Sequence, residues 1–179
     1  MNIRRLWRKP GKLGRSAKGV LAVPYLRDKL TDALPTPPLL VASPRPGNWY
    51  MLMNAVLGCC VVSGIGHVIR SVSKFLKFVF GITNAQVAAA YYALGVAQGQ
   101  PGPKPDNGLS IDDALLSWTQ GNVPELVTMA GQAAAFAKVD QDNLTEILQC
   151  IYVYGHVIIG VALPQSAENQ FPRIWKVVP

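Results

Sequence analysis

The chain has few of the residues that usually announce a chemistry. There are only three cysteines, and two of them, Cys59 and Cys60, are neighbours. Adjacent cysteines rarely bridge each other, and an odd count leaves at least one thiol free, so the three make a poor disulfide framework. A reducing site of synthesis follows. There are two histidines, His67 and His156. With so few imidazoles and no clustered Cys/His spacing, no zinc site is expected. No cofactor is expected either. The first 18 residues hold no acid, no apolar core and no small-residue cleavage site, so they are not read as a secretory signal. No internal repeat is visible.

What is present is apolar bulk and one concentration of charge. Half of the 179 residues are hydrophobic and only 15% are charged, which suits a single packed domain and excludes a disordered chain. The net charge of +7 is confined to one end. Arg4, Arg5, Arg8, Lys9, Lys12, Arg15 and Lys18 supply all of it, since the other ten basic residues are matched by ten acids. Residues 1–22 are therefore read as a basic arm that folds only against a partner. Two partners stay open. Other protein chains, or copies of this one, would be held through Trp7 with Leu6 and Leu13. Nucleic acid would be held through the cations.

Residues 23–47 carry Pro24, Pro35, Pro37, Pro38, Pro44 and Pro46 and are expected to run extended over a surface. A folded domain is expected over 48–179. Residues 51–69 are apolar enough to raise a membrane span, flanked by Trp49 and Tyr50 on one side and Arg70, Lys74 and Lys77 on the other. Asn54, Ser63, His67 and three glycines inside the run argue for a buried core helix instead. The spacing predicts a long helix over 58–80, stopped at Gly81, and a second over 85–94 capped by Thr83 or Asn84. A loop over 95–108 ends in Asp106-Asn107-Gly108. A third helix is predicted over 111–119, capped by Ser110, with Asp112 and Asp113 in its first turn, where the dipole favours acids. Residues 126–136 give no clear signal. A helix is expected from Asp142 or Asn143 through Gln149, then a buried strand over 151–163, rich in Val, Ile and Tyr.

One constellation carries chemistry. Asn54 lies six residues ahead of Cys60, and Gly58 lies between them. A cysteine that opens a helix sits beside uncompensated N–H groups and partial positive charge, which stabilise a thiolate. Those N–H groups can also hold an oxyanion after attack on a carbonyl, with the Asn54 amide as a second donor. Gly58 lets the chain turn into the helix. The plainer alternative is that Cys60 packs as a small hydrophobe, as Cys59 and Cys150 are expected to do. His67 lies about 10 Å along the same helix by rise, too far for proton transfer, and is read as a histidine bonded to backbone. His156 faces either cleft or solvent and is the remaining candidate base.

The order and spacing of these residues resemble papain-like cysteine peptidases. More closely, they resemble a papain-fold family of tailed bacteriophages and prophages. That family shows an Asn-Asp-x-x-Gly-Asp-Cys run and a histidine seven residues after the cysteine. It continues with a Thr-Asp-Ala helix start, an Asp-Asn-Gly loop, a Leu-x-x-Trp helix and a Gly-x-x-x-Gly-x-x-Leu-Pro strand. In this chain the corresponding residues are Asn54 to Cys60, His67, Thr83-Asn84-Ala85, Asp106-Asn107-Gly108, Leu115 to Trp118, and Gly160 to Pro164 with Gly155 or His156 before them. Ala55 and Cys59 replace the two acids of the first run.

The resemblance implies an α+β papain-like fold: a helical half with a central Cys-bearing helix, then the first barrel strand. It implies Cys60 as nucleophile and Asn54 as oxyanion donor. The family's histidine segment would follow the equivalent of Trp175 to Pro179, so the expectation is a fold truncated before its usual base. The leading functional expectation is an inactive, truncated fold used as a virion structural or assembly protein, made in the host cytoplasm and partnered by other virion proteins. The alternative is an active cysteine peptidase or amidase whose base is His156, or comes from a partner chain or a separately encoded segment.

Overall fold

The computed structural model describes residues 25–30, 32–38, 49–77, 81–99 and 106–161. The basic arm with Arg4, Arg5, Trp7, Arg8, Lys9, Lys12, Arg15 and Lys18, the end of the expected strand and the Trp175 to Pro179 run lie outside the described residues.

Among the described residues, one 3-10 turn (Leu26–Asp28) and five α-helices form: α1 (Cys60–Phe75), α2 (Asn84–Ala97), α3 (Ile111–Gln120), α4 (Pro124–Ala130) and α5 (Leu144–Tyr154). Among the described residues no strand forms. A single parallel bridge joins Tyr25 to Lys138, where the Leu26 N–H donates to the Lys138 carbonyl at 2.8 Å.

Local chemistry sets most of the helix ends. Thr83 closes a reciprocal capping box with Gln86, its hydroxyl accepting the Gln86 N–H and the Gln86 side chain accepting the Thr83 N–H. Ser110 accepts the Asp113 N–H, with Asp112 and Asp113 in the first turn of α3. Pro124 occupies the first turn of α4, where its missing N–H costs nothing. That short helix fills part of the stretch for which periodicity gave no signal.

α1 sits in the middle, against α2, α3 and α4, and α2 packs most extensively on α4. Val61, Val62 and Ile65 of α1 meet Val87, Ala90, Tyr91 and Leu94 of α2, and Leu126 and Met129 of α4. Leu52, Ile82, Leu109 and Val123 close the core from the connecting segments. The apolar run 51–69 is not one helix. Residues 52–56 form turns, and the helix begins only at Cys60. Among the described residues no helix is long and apolar enough to cross a membrane.

Two sequence expectations need correction. α1 is a 16-residue helix that ends at Phe75, short of the expected Gly81, with Lys77 in the left-handed region at φ 60°. The expected buried strand over 151–163 is helical up to Tyr154. Asn143 Oδ1 accepts the Glu146 N–H and starts α5, and Gly155 at φ 83° ends it. The β-branched and aromatic residues at 151–154 continue a helix already nucleated and capped, so local propensity is overridden. Residues 156–161 then run without helix or strand, and Ile158 packs against the core.

Candidate active site

Cys59 and Cys60 are adjacent in sequence and opposite in environment. Cys59 is the N-cap of α1 and is fully buried. Its Sγ lies 3.3 Å from Ser63 Oγ and 3.6 Å from the Leu52 carbonyl oxygen. The Ser63 hydroxyl donates to that same carbonyl at 2.8 Å, which leaves the thiol proton for one of the two oxygens. Burial pushes the Cys59 thiol up, so it stays protonated and inert. Cys60 is the first helical residue and is exposed. No side chain caps the N-terminus of α1, so its first-turn N–H groups keep their capacity to hold a negative charge beside the sulfur. Cys150 is buried on α5 and is likewise pushed up by desolvation.

Cys60 opens onto a cleft of about 260 Å³. Along one wall run Gly64, His67 and Val68 of α1, with Trp49 beside them. Residues 156–159 also line the cleft, so His156 shares it with Cys60. The spacing of Cys60, Gly64, His67 and Val68, at i, i+4, i+7 and i+8, is one helical face. That periodicity is the sequence signal for the cleft wall. A Cβ on Gly64 would meet nothing within 4 Å, so this glycine widens the cleft one turn below the thiol.

The two histidines do different work. His67 Nε2 lies 3.0 Å from the Trp49 carbonyl and 3.1 Å from that of Tyr50. Both partners are acceptors, so Nε2 carries the proton and donates. The Trp49 ring meets the imidazole edge-on at 5.3 Å. His67 thereby pins the 49–50 segment as a wall of the cleft. His156 has neither ring nitrogen hydrogen-bonded, though both are shielded from solvent. Burial pushes its imidazole below the ordinary value, which keeps it neutral and able to accept a proton at neutral pH.

Asn54 is half-buried in the turn over 52–56, with its N–H bonded to the Met51 carbonyl. It is not among the described residues that line the cleft. Three residues that sequence reasoning did not assign to the site do shape it. Trp49 and Gly64 form its wall, and Asp106 reaches the turn ahead of Cys60, accepting the Gly58 N–H at 2.7 Å. Among the described residues no group of three or more His, Cys, Asp or Glu is placed to hold a metal ion.

Compared with known proteins, the chain matches no protein-family model, no curated protein and no solved structure.

Proposed function

We propose that the cleft is a thiol-hydrolase site of papain-like type, acting on a peptide or amide carbonyl. The observation that carries this reading is the meeting of an exposed helix-opening Cys60 with an unbonded, neutral His156 in one cleft. The resemblance of the Asn54 to Cys60 run to papain-like peptidases supports it, and in this reading His156 takes the place of the histidine that the resemblance puts on a later segment.

In this reading His156 takes the Cys60 proton as sulfur attacks the carbonyl carbon. The first-turn N–H groups of α1 hold the developing oxyanion. The imidazolium then protonates the leaving amine. Water, deprotonated by His156, cleaves the thioester and regenerates the thiol.

The test is alkylation of the full chain by iodoacetamide across pH, with the site read by peptide mass spectrometry. The expected result is Cys60 labelling at pH 7 faster than a free cysteine, lost in Cys60→Ala and slowed about 100-fold in His156→Ala, the lower end of general-base effects. Its acid limb should lie below the ordinary histidine value of 6.5, because burial lowers the His156 pKa. Labelling at the rate of a free thiol, indifferent to His156, would sink the reading.

A second reading, that of a virion structural or assembly protein, is favoured by a different observation. Leu144, Leu148 and Tyr152 repeat at four-residue spacing along α5 and are all exposed. An apolar row of this kind fits burial against another chain. The basic arm would add a second contact. If protein chains are its partner, Trp7→Ala damages assembly more than Arg4→Ala or Lys12→Ala, since buried aromatics outweigh rim charges. If nucleic acid is the partner, binding falls steeply with salt.

A further inference from the structure

The Asp106-Asn107-Gly108 loop has no part in the chemistry above, yet it touches the approach to Cys60. Asp106 and Gly58 are 48 residues apart in sequence, and Asp106 Oδ2 accepts the Gly58 N–H at 2.7 Å. The other carboxylate oxygen accepts the hydroxyl of Tyr91, a buried residue of α2. The Gly108 backbone in turn bonds to the phenol. Three segments therefore meet at one carboxylate: the turn ahead of α1, the middle of α2 and the loop ahead of α3.

The fit is close. A Cβ on residue 58 would stand 2.6 Å from Asp106 Oδ1, so any side chain there would force the carboxylate to shift from this position. Burial and the adjacent carboxylate push the Tyr91 phenol far above its ordinary value, so it remains a donor throughout the usable pH range. Hydrogen bonds to a carboxylate are short and about twice as strong as neutral ones. Gly58 is two residues from Cys60. Fixing its N–H fixes the direction in which the chain enters α1.

We propose that Asp106 is a positioning residue for Cys60: through the Gly58 N–H it sets the turn that aims the thiol and the first-turn amides into the cleft. The role rests on reading Cys60 as the nucleophile. It differs in sign from a simple charge effect. A carboxylate near a thiolate disfavours the thiolate, so on charge alone its removal speeds labelling. A positioning role requires that its removal slow labelling.

The experiment is Cys60 alkylation by iodoacetamide in the full chain from pH 5.5 to 9.5, with Cys59 and Cys150 as internal reporters of unfolding. Asp106→Ala is expected to slow Cys60 at pH 7 by about tenfold, the scale of one hydrogen bond to a charged group. Asp106→Asn keeps an acceptor for Gly58 and is expected to stay within about threefold of the parent, since only the Tyr91 hydroxyl loses its acceptor. Gly58→Ala should match Asp106→Ala, and the double variant should be no slower than either single one. A faster or unchanged rate in Asp106→Ala overturns the proposal. If Asp106→Ala also exposes Cys59 and Cys150, Gly58→Ala decides: slower Cys60 labelling with the other two protected supports the role, and an unchanged rate refutes it. His156→Ala separates the two claims. A rate that responds to Asp106 and not to His156 removes the thiol–imidazole reading and leaves the positioning role. The converse removes only the positioning role.

Discussion

At the scale of single residues, position on a helix end separates two identical side chains. Cys59 faces inward as the cap and Cys60 outward as the first helical residue, and a one-residue shift would exchange them. His156 shows the same sensitivity to placement, and its burial carries a stability consequence. Its folded pKa lies below the unfolded value, so the unfolded chain binds the proton more readily. The fold is therefore at full strength above about pH 6.5, the ordinary histidine value, and loses stability as pH falls through the lower folded value. Thermal melts at pH 7.5 and 5.5 should show a drop that His156→Gln reduces. An equal drop in both proteins would mean that His156 is solvated.

At the scale of elements, the glycines of α1 are not equivalent. Gly64 borders open space, whereas a Cβ on Gly66 would come within 2.9 Å of Leu52 Cδ1. Alanine loses less backbone entropy than glycine in a helix interior. Gly64→Ala should therefore raise stability by about 0.5–1 kcal/mol in a urea titration, and Gly66→Ala should gain less or lose, because Leu52 must move. Gly64→Leu should keep the fold and fill the cleft, slowing Cys60 labelling by a bulky maleimide more than by iodoacetamide. Equal slowing of both reagents would show that residue 64 does not border the route to the thiol. Element boundaries also mark the limit of local reading. Thr83 and Ser110 were legible because caps are local hydrogen bonds. α5 runs past the expected end at Gln149, because continuation from Asn143 holds Ile151, Tyr152 and Val153 helical although they favour strands in isolation.

At the scale of the whole molecule, stability concentrates where α1, α2 and α4 meet. Leu94 is fully buried there. Leu94→Ala should cost about 2–5 kcal/mol, read as a lower urea midpoint. Leu148→Glu, on the exposed row of α5, should change stability by no more than about 0.5 kcal/mol. If that row is an interface, the same variant reduces self-association in sedimentation; unchanged sedimentation removes the row as a contact between copies.

The sequence by itself determined the helical character of the central part, the placement of Cys60 at the start of the longest helix, and the caps at Thr83 and Ser110. Each follows from interactions among residues within a few positions of one another, and these survive translation into a one-dimensional pattern. It also determined that the charge sits at one end. Only the tertiary structure decided that His156 returns to the cleft of Cys60, that Asn54 does not line that cleft, and that Asp106 reaches Gly58. Those relations depend on how the segment after α5 and the loop before α3 come back to the N-terminal end of α1, over separations of tens of residues. No local propensity encodes such a distance. It is set by which apolar faces bury one another, and the few polar groups that meet as a result are then fixed by the hydrogen bonds they must satisfy.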